Sequence, residues 1–475
     1  MFTSCRLVKN VQTETSPVLR LAVTDVQPTV EATEPHPTVR MAQVARRRLA
    51  HVSELPRTLR AMTKTICLIL AIIFISIPSI AGAAPNFVMI VMDDIGMADV
   101  GAFSGRPGLA TPSIDQIAAE GTTYLTFYGQ SLCTPFRDAL LTGRHPQRNG
   151  LITALDINNT AGVRPEDVLL PEVLKAAGYR TALIGKWHLG HAGELATPPE
   201  TIADEQYPLN NGFDVFYGMR GGQINSYMTH ETVNKTIDWW DGFNQNLASE
   251  YSTTAITDHA IQFLDDSITS QPFFLYVAYN APHYPVQMPG DPYGFANAAH
   301  YNNVVGIMDG GIGQIVSKVQ ELGISANTYV IISGDNGAPP AHMVPWRGGK
   351  GSVYEGGIRV PLVIWQDGQV HRVDQQPRIA QDIFPWMARL AGTTVPSNLD
   401  GRDFTATGPR DLFWWQDANR AMRRADWKLV MLGPKPELYN LARDPHETRN
   451  VARANPKTLK AMRAALAAWQ QAVVR

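Results

Sequence analysis

Asn86-Phe87-Val88-Met89-Ile90-Val91-Met92-Asp93-Asp94 decides the architecture: seven uncharged, mostly apolar residues run straight into two adjacent carboxylates. A continuous apolar run of this length reads as a strand covered on both faces, the kind found in parallel sheets flanked by helices. Paired acids after such a strand are commonly a helix cap or a solvated turn. At the carboxyl end of a parallel strand they are also a seat for a hard cation. The pattern recurs. Residues 179–184 form a second run that ends in Gly185-Lys186-Trp187-His188, residues 272–279 a third that ends in Asn280-Ala281-Pro282-His283, and residues 328–333 a fourth that ends in Gly334-Asp335-Asn336-Gly337. Four apolar strands that each deliver polar groups at the carboxyl end predict a ligand site along one edge of an α/β sheet.

A second stretch supplies the chemistry. Ser131-Leu132-Cys133-Thr134-Pro135-Phe136-Arg137 continues through Asp138-Ala139-Leu140-Leu141-Thr142 to Gly143-Arg144. Thr134-Pro135 suits a helix start and Gly143 a helix stop. The Cys133 sulfur then lies at the positive end of a helix dipole, where a thiolate or a bound anion is favoured, and Arg137 lies one turn away. A lone cysteine is more often simply buried. Lys186 and His188 are two residues apart and share a side in extended chain, a cation and an imidazole suited to an anion; a surface lysine beside a satisfied histidine is the plainer alternative. In the glycine-rich segment 346–361 the backbone is free to approach a ligand closely, and Lys350 supplies a point charge.

The chain has 475 residues and a formal net charge of −2, enough for one large domain and a small one, and nothing in the charge balance points to nucleic acid. Residues 1–61 are polar and then basic, without helix or strand periodicity, and read as disorder or as an overextended start. From Met62 the order is Thr63-Lys64, an apolar run over 66–80, and Ala81-Gly82-Ala83, the layout of a secretory signal spanning 62–83. The expected location is periplasmic or secreted; an uncleaved signal anchor that holds the protein at the membrane is the alternative. Of the three cysteines, Cys5 and Cys67 fall in this leader, so the mature chain keeps Cys133 alone and forms no internal disulfide. Two glycosylation sequons, at Asn158 and Asn234, matter only in a eukaryotic secretory pathway.

The remaining segments fill in the domain. Helices are expected at 114–120, 171–177, 254–264 and 303–322, strands at 122–128 and 361–365, and a loop region over 212–230. The catalytic domain is expected over 84–405. Beyond it, short strand candidates at 412–415, 421–423 and 427–431, a turn-rich link at 438–445 and a helix at 456–474 predict a small C-terminal antiparallel sheet with one helix over 406–475.

Taken together, these pieces resemble the type I sulfatases along the whole mature length. The resemblance rests on Asp93-Asp94-Ile95-Gly96, the Cys133 motif through Arg144, Gly185-Lys186-Trp187-His188-Leu189-Gly190, Ala281-Pro282-His283, Gly334-Asp335-Asn336-Gly337, Gly348-Gly349-Lys350-Gly351, and Leu438-Tyr439-Asn440-Leu441 with Asp444-Pro445. It implies an α/β, alkaline-phosphatase-like core with a mostly parallel sheet. It also implies a calcium ion held by Asp93, Asp94, Asp335 and Asn336, and conversion of Cys133 to formylglycine by a maturation enzyme. In the implied reaction the hydrated formylglycine attacks the sulfur of a sulfate ester. Arg137 holds the nucleophile, Lys186 and Lys350 bind the sulfate oxygens, His283 protonates the leaving alcohol, with a share for Lys350, and His188 takes the proton whose loss expels sulfate. A further substrate contact is expected among Gln223, Ser226 and His230. Two positions depart from the family pattern: Phe136 stands where serine is usual and Asp138 where alanine is frequent. The competing readings are a phosphonate monoester or phosphodiester hydrolase of the same superfamily, and a non-catalytic glycan-binding protein if Cys133 stays unmodified.

Overall fold

The computed structural model describes residues 84–103, 109–156, 159–190, 205–267, 271–291, 298–339 and 342–474; the expected leader, its two cysteines and the Asn158 sequon lie outside them. Ten strands form one sheet. In chain order they are β1 (Asn86–Met92), β2 (Thr122–Tyr124), β3 (Arg180–Gly185), β4 (Val215–Gly218), β5 (Trp240–Asp241), β6 (Asn244–Gln245), β7 (Phe273–Ala278), β8 (Thr328–Gly334), β9 (Leu362–Trp365) and β10 (Arg372–Asp374). Their order across the sheet is β10-β2-β9-β8-β1-β7-β3-β4-β5-β6. The centre, β8-β1-β7-β3-β4, is wholly parallel, as the continuous apolar runs require; β9 and β5 run antiparallel to it, and β6 pairs antiparallel with β5.

Strand β1 shows why both faces are apolar. Val88, Ile90 and Met92 pack into a layer with α1 (Pro112–Glu120), while Phe87, Met89 and Val91 pack on the opposite face with α2 (Cys133–Thr142). The first layer is completed by α4 (Ser252–Asp266) and α5 (Ala298–Glu321), the second by α3 (Leu170–Ala176) and α6 (Ile383–Leu390). Helices on both faces leave the carboxyl edge of the parallel strands as the open rim.

The last part of the chain forms an antiparallel sheet of β11 (Asp411–Gln416), β12 (Asn419–Arg424), β13 (Trp427–Leu432) and β14 (Lys435–Asn440). One face, with Leu412, Trp414 and Val430, packs on Tyr128, Tyr354 and Ile358 of the larger part; the other, with Met422, Leu429 and Leu438, packs on α7 (Pro456–Val473).

Three of the expected segments fold differently from the sequence reading, and α6, β5, β6 and β10 had not been expected. The strand expected over 122–128 is split into Thr122–Tyr124 and Phe127–Tyr128, and the second piece pairs with Arg378–Ile379 outside the main sheet. Val215–Gly218, expected within a loop, is β4: four residues that end in glycine carry no readable period, yet they pair in register with Ala182–Ile184. The expected turn-rich link at 438–445 begins inside β14, whose Pro436 is tolerated because the strand lies at a sheet edge.

Candidate active site

Helix α2 starts at Cys133, with Leu132 as its extended N-cap, and ends at Gly143, whose φ of +64° is the left-handed stop that glycine permits. The thiol is buried and donates to Asp93 Oδ1 at 3.3 Å. Burial, and then the Asp93 carboxylate, push that thiol far above its usual range. Desolvation and a facing carboxylate thus work against the thiolate that the helix start was expected to favour. Phe136 joins the apolar layer with Leu140 and Leu141, so the bulk that departs from the family pattern is taken up by the core. Arg137, wholly buried, donates to the Lys186 carbonyl at 2.8 Å and lies 3.5 Å from Asp335 and 4.0 Å from Asp93. Burial opposes its charge, but the neighbouring Tyr276, Asp93 and Asp335 raise its pKa further.

Two lysines face the same carboxylates. Lys186 Nζ lies 2.5 Å from Asp93 Oδ2, and Lys350 Nζ 2.8 Å from Asp94 Oδ1. Burial resists ionisation of Asp93, yet Lys186, His283 and Arg137 outweigh it and hold this carboxyl well below the usual range. The glycine-rich segment positions Lys350 through its backbone: Lys350 N donates to the Ala338 carbonyl at 2.9 Å and Gly351 N to the Ser131 carbonyl at 2.8 Å.

His188 is not in extended chain, as its spacing from Lys186 suggested; its φ is +55°. Its Nε2 lies 2.9 Å from the Leu155 carbonyl. A carbonyl only accepts, so Nε2 carries the hydrogen and Nδ1, which has no protein partner, is left as a bare acceptor. Burial and then Lys186 lower the pKa of this imidazole well below the ordinary value. Gly222 permits the placement: a Cβ there would stand 2.2 Å from His188 Nε2. Thr134 Oγ1 ties the helix start to this loop by donating to the His188 carbonyl at 3.1 Å. His283 Nδ1 lies 2.8 Å from the Tyr284 carbonyl, and its Nε2 faces Asp94 Oδ2 at 3.9 Å. Burial shifts its pKa downward as well.

The oxygen groups gather as a cation would require. Ligand atoms of Asp93, Asp94, Cys133 and His283 lie within 4.8 Å of one another. Asp335 Oδ1 accepts from the Asp94 backbone nitrogen at 3.0 Å, and Asn336 Nδ2 donates to Asp94 Oδ1 at 2.8 Å. The Asn336 Oδ1 atom is buried without a protein partner, and burial and then Asp93 push the Asp335 carboxyl up to about 7. Three carboxylates and an orphaned amide oxygen supply hard-oxygen donors of the kind calcium prefers, beside the Cys133 thiol and the His283 imidazole.

Above this floor opens a pocket of about 510 Å³, which Cys133, His188, His283 and Lys350 reach from below. Of the three candidate substrate contacts, Gln223 lies on the pocket wall. Ser226 does not: its hydroxyl accepts from the backbone nitrogens of Met228 and Thr229 and closes a turn. His230 is wholly buried and stacks on Trp239 at 4.0 Å, and burial lowers its pKa to about 4. Sequence reasoning missed Asp238, whose carboxylate accepts from the backbone nitrogens of Arg220 and Gly221 (3.0 and 2.7 Å) and fixes the glycine turn over His188. It also missed the pocket residues Leu155, Asn225 and Tyr284; Asn225, beside Ser226, and Tyr284, next to His283, had a nearby signal.

With this geometry in view, comparison with known proteins gives the class. The Sulfatase family model matches residues 85–393, and the chain belongs to that family. N-acetylgalactosamine-6-sulfatase of Mus musculus is 34% identical over 354 residues, 68% of this chain and 66% of its own. Arylsulfatase A of Homo sapiens is 32% identical over 445 residues, 80% of this chain and 86% of its own. The chain thus spans slightly under two thirds of the length of the N-acetylgalactosamine-6-sulfatases it matches. Among solved structures, Ps i-CgsB superposes with a TM-score of 0.72 at 29% identity, covers 81% of this chain and 92% of its own, and was also determined with k-i-k-neocarrahexaose.

Proposed function

We propose that this protein hydrolyses a sulfate monoester of a carbohydrate, using formylglycine made from Cys133 by a maturation enzyme and a calcium ion held by Asp93, Asp94, Asp335 and Asn336. The observation that carries the reading is the convergence of Cys133, Arg137, Lys186, His188, His283 and Lys350 on those carboxylates beneath one pocket. When bound, calcium supplies a Lewis acid at the reacting oxygen. Lys186, Lys350 and Arg137 offset the three carboxylates, so the ion leaves the floor net positive, suited to a sulfate anion. Lys186 and Lys350 hold the sulfate oxygens and stabilise charge as it develops. Arg137 orients the side chain at position 133. His283 delivers a proton to the leaving oxygen, and the bare Nδ1 of His188 accepts the proton whose loss releases sulfate. A carbohydrate substrate is supported by the likeness to an N-acetylgalactosamine-6-sulfatase and to Ps i-CgsB, determined with k-i-k-neocarrahexaose, and by the amide and hydroxyl groups of the pocket wall. The signal-like stretch 62–83 supports export to the periplasm or beyond.

The test joins two measurements. Mass spectrometry of the peptide that spans position 133 is expected to show an aldehyde in place of the thiol, and the same preparation is expected to cleave sulfate esters with higher kcat/KM than the matching phosphate esters. An active preparation with an intact thiol, or a preference for phosphate, overturns the reading.

A further inference from the structure

Tyr284 belongs to two cavities at once. It stands on the wall of the catalytic pocket and on that of a neighbouring cleft of about 580 Å³, and Asn225 is likewise shared, so the two spaces adjoin along these side chains. Tyr284 is 58% exposed, so its ring face is open to a ligand at the junction of the two spaces. The cleft beyond it is lined by Ser226, Met228, Thr229 and Pro285 together with Gln287. Its two charged lining residues, Glu231 and Lys235, lie 3.5 Å apart as an ion pair. The exposed Thr229 hydroxyl, the Asn225 amide, short apolar groups and one aromatic face, with no unpaired charge among the described lining residues, fit an uncharged pyranose ring: hydroxyls to the polar groups, the C–H face to the tyrosine.

The cleft is preformed. Gln287 bonds the loop that carries Ser226 from both ends of its amide: Oε1 accepts from Tyr227 N at 2.7 Å and Nε2 donates to the Asn225 carbonyl at 2.8 Å. Tyr227 in turn donates from its hydroxyl to the His283 carbonyl at 2.6 Å. The two walls are thus braced to each other and to the residue assigned to the leaving oxygen, and little ordering remains to be done on binding.

We infer that this cleft is a subsite for a second, uncharged sugar residue, so that the substrate is an oligosaccharide or polysaccharide sulfate whose chain passes from the catalytic pocket over Tyr284. The inference rests on the sulfatase reading. The test measures kcat/KM of the matured enzyme on an aryl sulfate, a panel of monosulfated hexoses, and disaccharides that join the hexose cleaved best to a neutral sugar or to a uronate. The neutral disaccharide is expected to exceed the monosaccharide by about tenfold, the gain of one good contact set, and the uronate disaccharide to show no such gain. Both Tyr284→Ala and the cleft-filling Thr229→Trp are expected to bring the disaccharide-to-monosaccharide ratio close to one. Cleavage of the aryl ester and hexose sulfates with no gain from the neutral second residue overturns the subsite alone, as does a ratio that neither variant changes. Failure to cleave any of the esters overturns the sulfatase reading and the subsite with it.

Discussion

At the scale of single residues the site depends on where protons and charges sit. Cys133 enters as a neutral thiol against Asp93, so its expected value to catalysis lies in what it becomes and not in thiolate reactivity. Cys133→Ala and Cys133→Ser are both expected to lower kcat on a sulfate ester by on the order of 10³-fold or more, with the thermal transition unchanged within a few degrees; wild-type-like turnover of the serine variant would sink the formylglycine mechanism. The role of His283 separates by leaving group. His283→Ala is expected to slow a sugar sulfate by on the order of 10²–10⁴-fold and an aryl sulfate, which leaves readily as its anion, far less. A uniform drop on both would remove His283 from the acid role. Asp93, Asp94 and Asp335 crowd three carboxylates into one buried space. Chelation is therefore expected to abolish activity and lower the thermal transition, with calcium restoring both; recovery by zinc and not by calcium would refute the assignment.

At the scale of elements, α2 carries an unusual load. Besides Cys133 and Arg137 it buries Asp138, whose Oδ1 accepts from Asn149 at 2.8 Å and whose Oδ2 has no protein partner. Burial, with Asp167 adding to it, pushes this carboxyl up to about 7, against the opposing effects of Asn149, Arg144 and Arg164. A carboxyl whose folded pKa is raised binds more protons folded than unfolded, so its contribution to stability falls as pH rises from about 4 towards 7. Asp138→Asn should accordingly gain in melting temperature relative to the wild type as pH moves from 5 to 8; a gap that stays constant or shrinks would show the wild-type carboxyl to be ionised without cost. Much of this was legible beforehand. The four apolar strands were visible because a doubly covered strand must be apolar at every position, and their polar terminal residues meet because parallel strands end along one edge. What escaped had no local signature. β4 is four residues long, and its pairing with β3 comes from tertiary contact. Asp238 acts on backbone nitrogens 17 and 18 residues away. Ser226 and His230 are the right residue types in the right loop, but turn geometry and a stacked tryptophan claim them for structure.

At the scale of the whole molecule, the small sheet is joined to the larger part by buried charge as well as by apolar packing. Lys428 of β13 sits between Glu355 at 2.9 Å and Glu447 at 3.0 Å, all three side chains being fully buried, and Tyr128 donates to Glu355 from the other side at 2.9 Å. Burial pushes Glu447 up to about 7 despite the lysine. Lys428→Met, which keeps the volume but removes the cation that Glu447 shares with Glu355 and leaves Glu355 with Arg359, is expected to cost on the order of 3–5 kcal/mol and to cost more at pH 8 than at pH 5, where Glu447 takes up a proton; thermal unfolding at the two pH values checks it. Glu355 follows Lys350 by five positions in the same glycine-rich segment, so the C-terminal sheet grips the piece of chain that presents Lys350 to Asp94. That grip bears on how the gene tolerates recombination. A crossover placed in the exposed stretch near residue 405 looks harmless on the surface, but a foreign tail without a cation at the position of Lys428 would leave the inherited Glu355 to Arg359 alone, 3.4 Å away, and loosen the hold on the segment that carries Lys350. Chimeras within this family should therefore exchange the segment 346–361 and the terminal sheet together, as one heritable block.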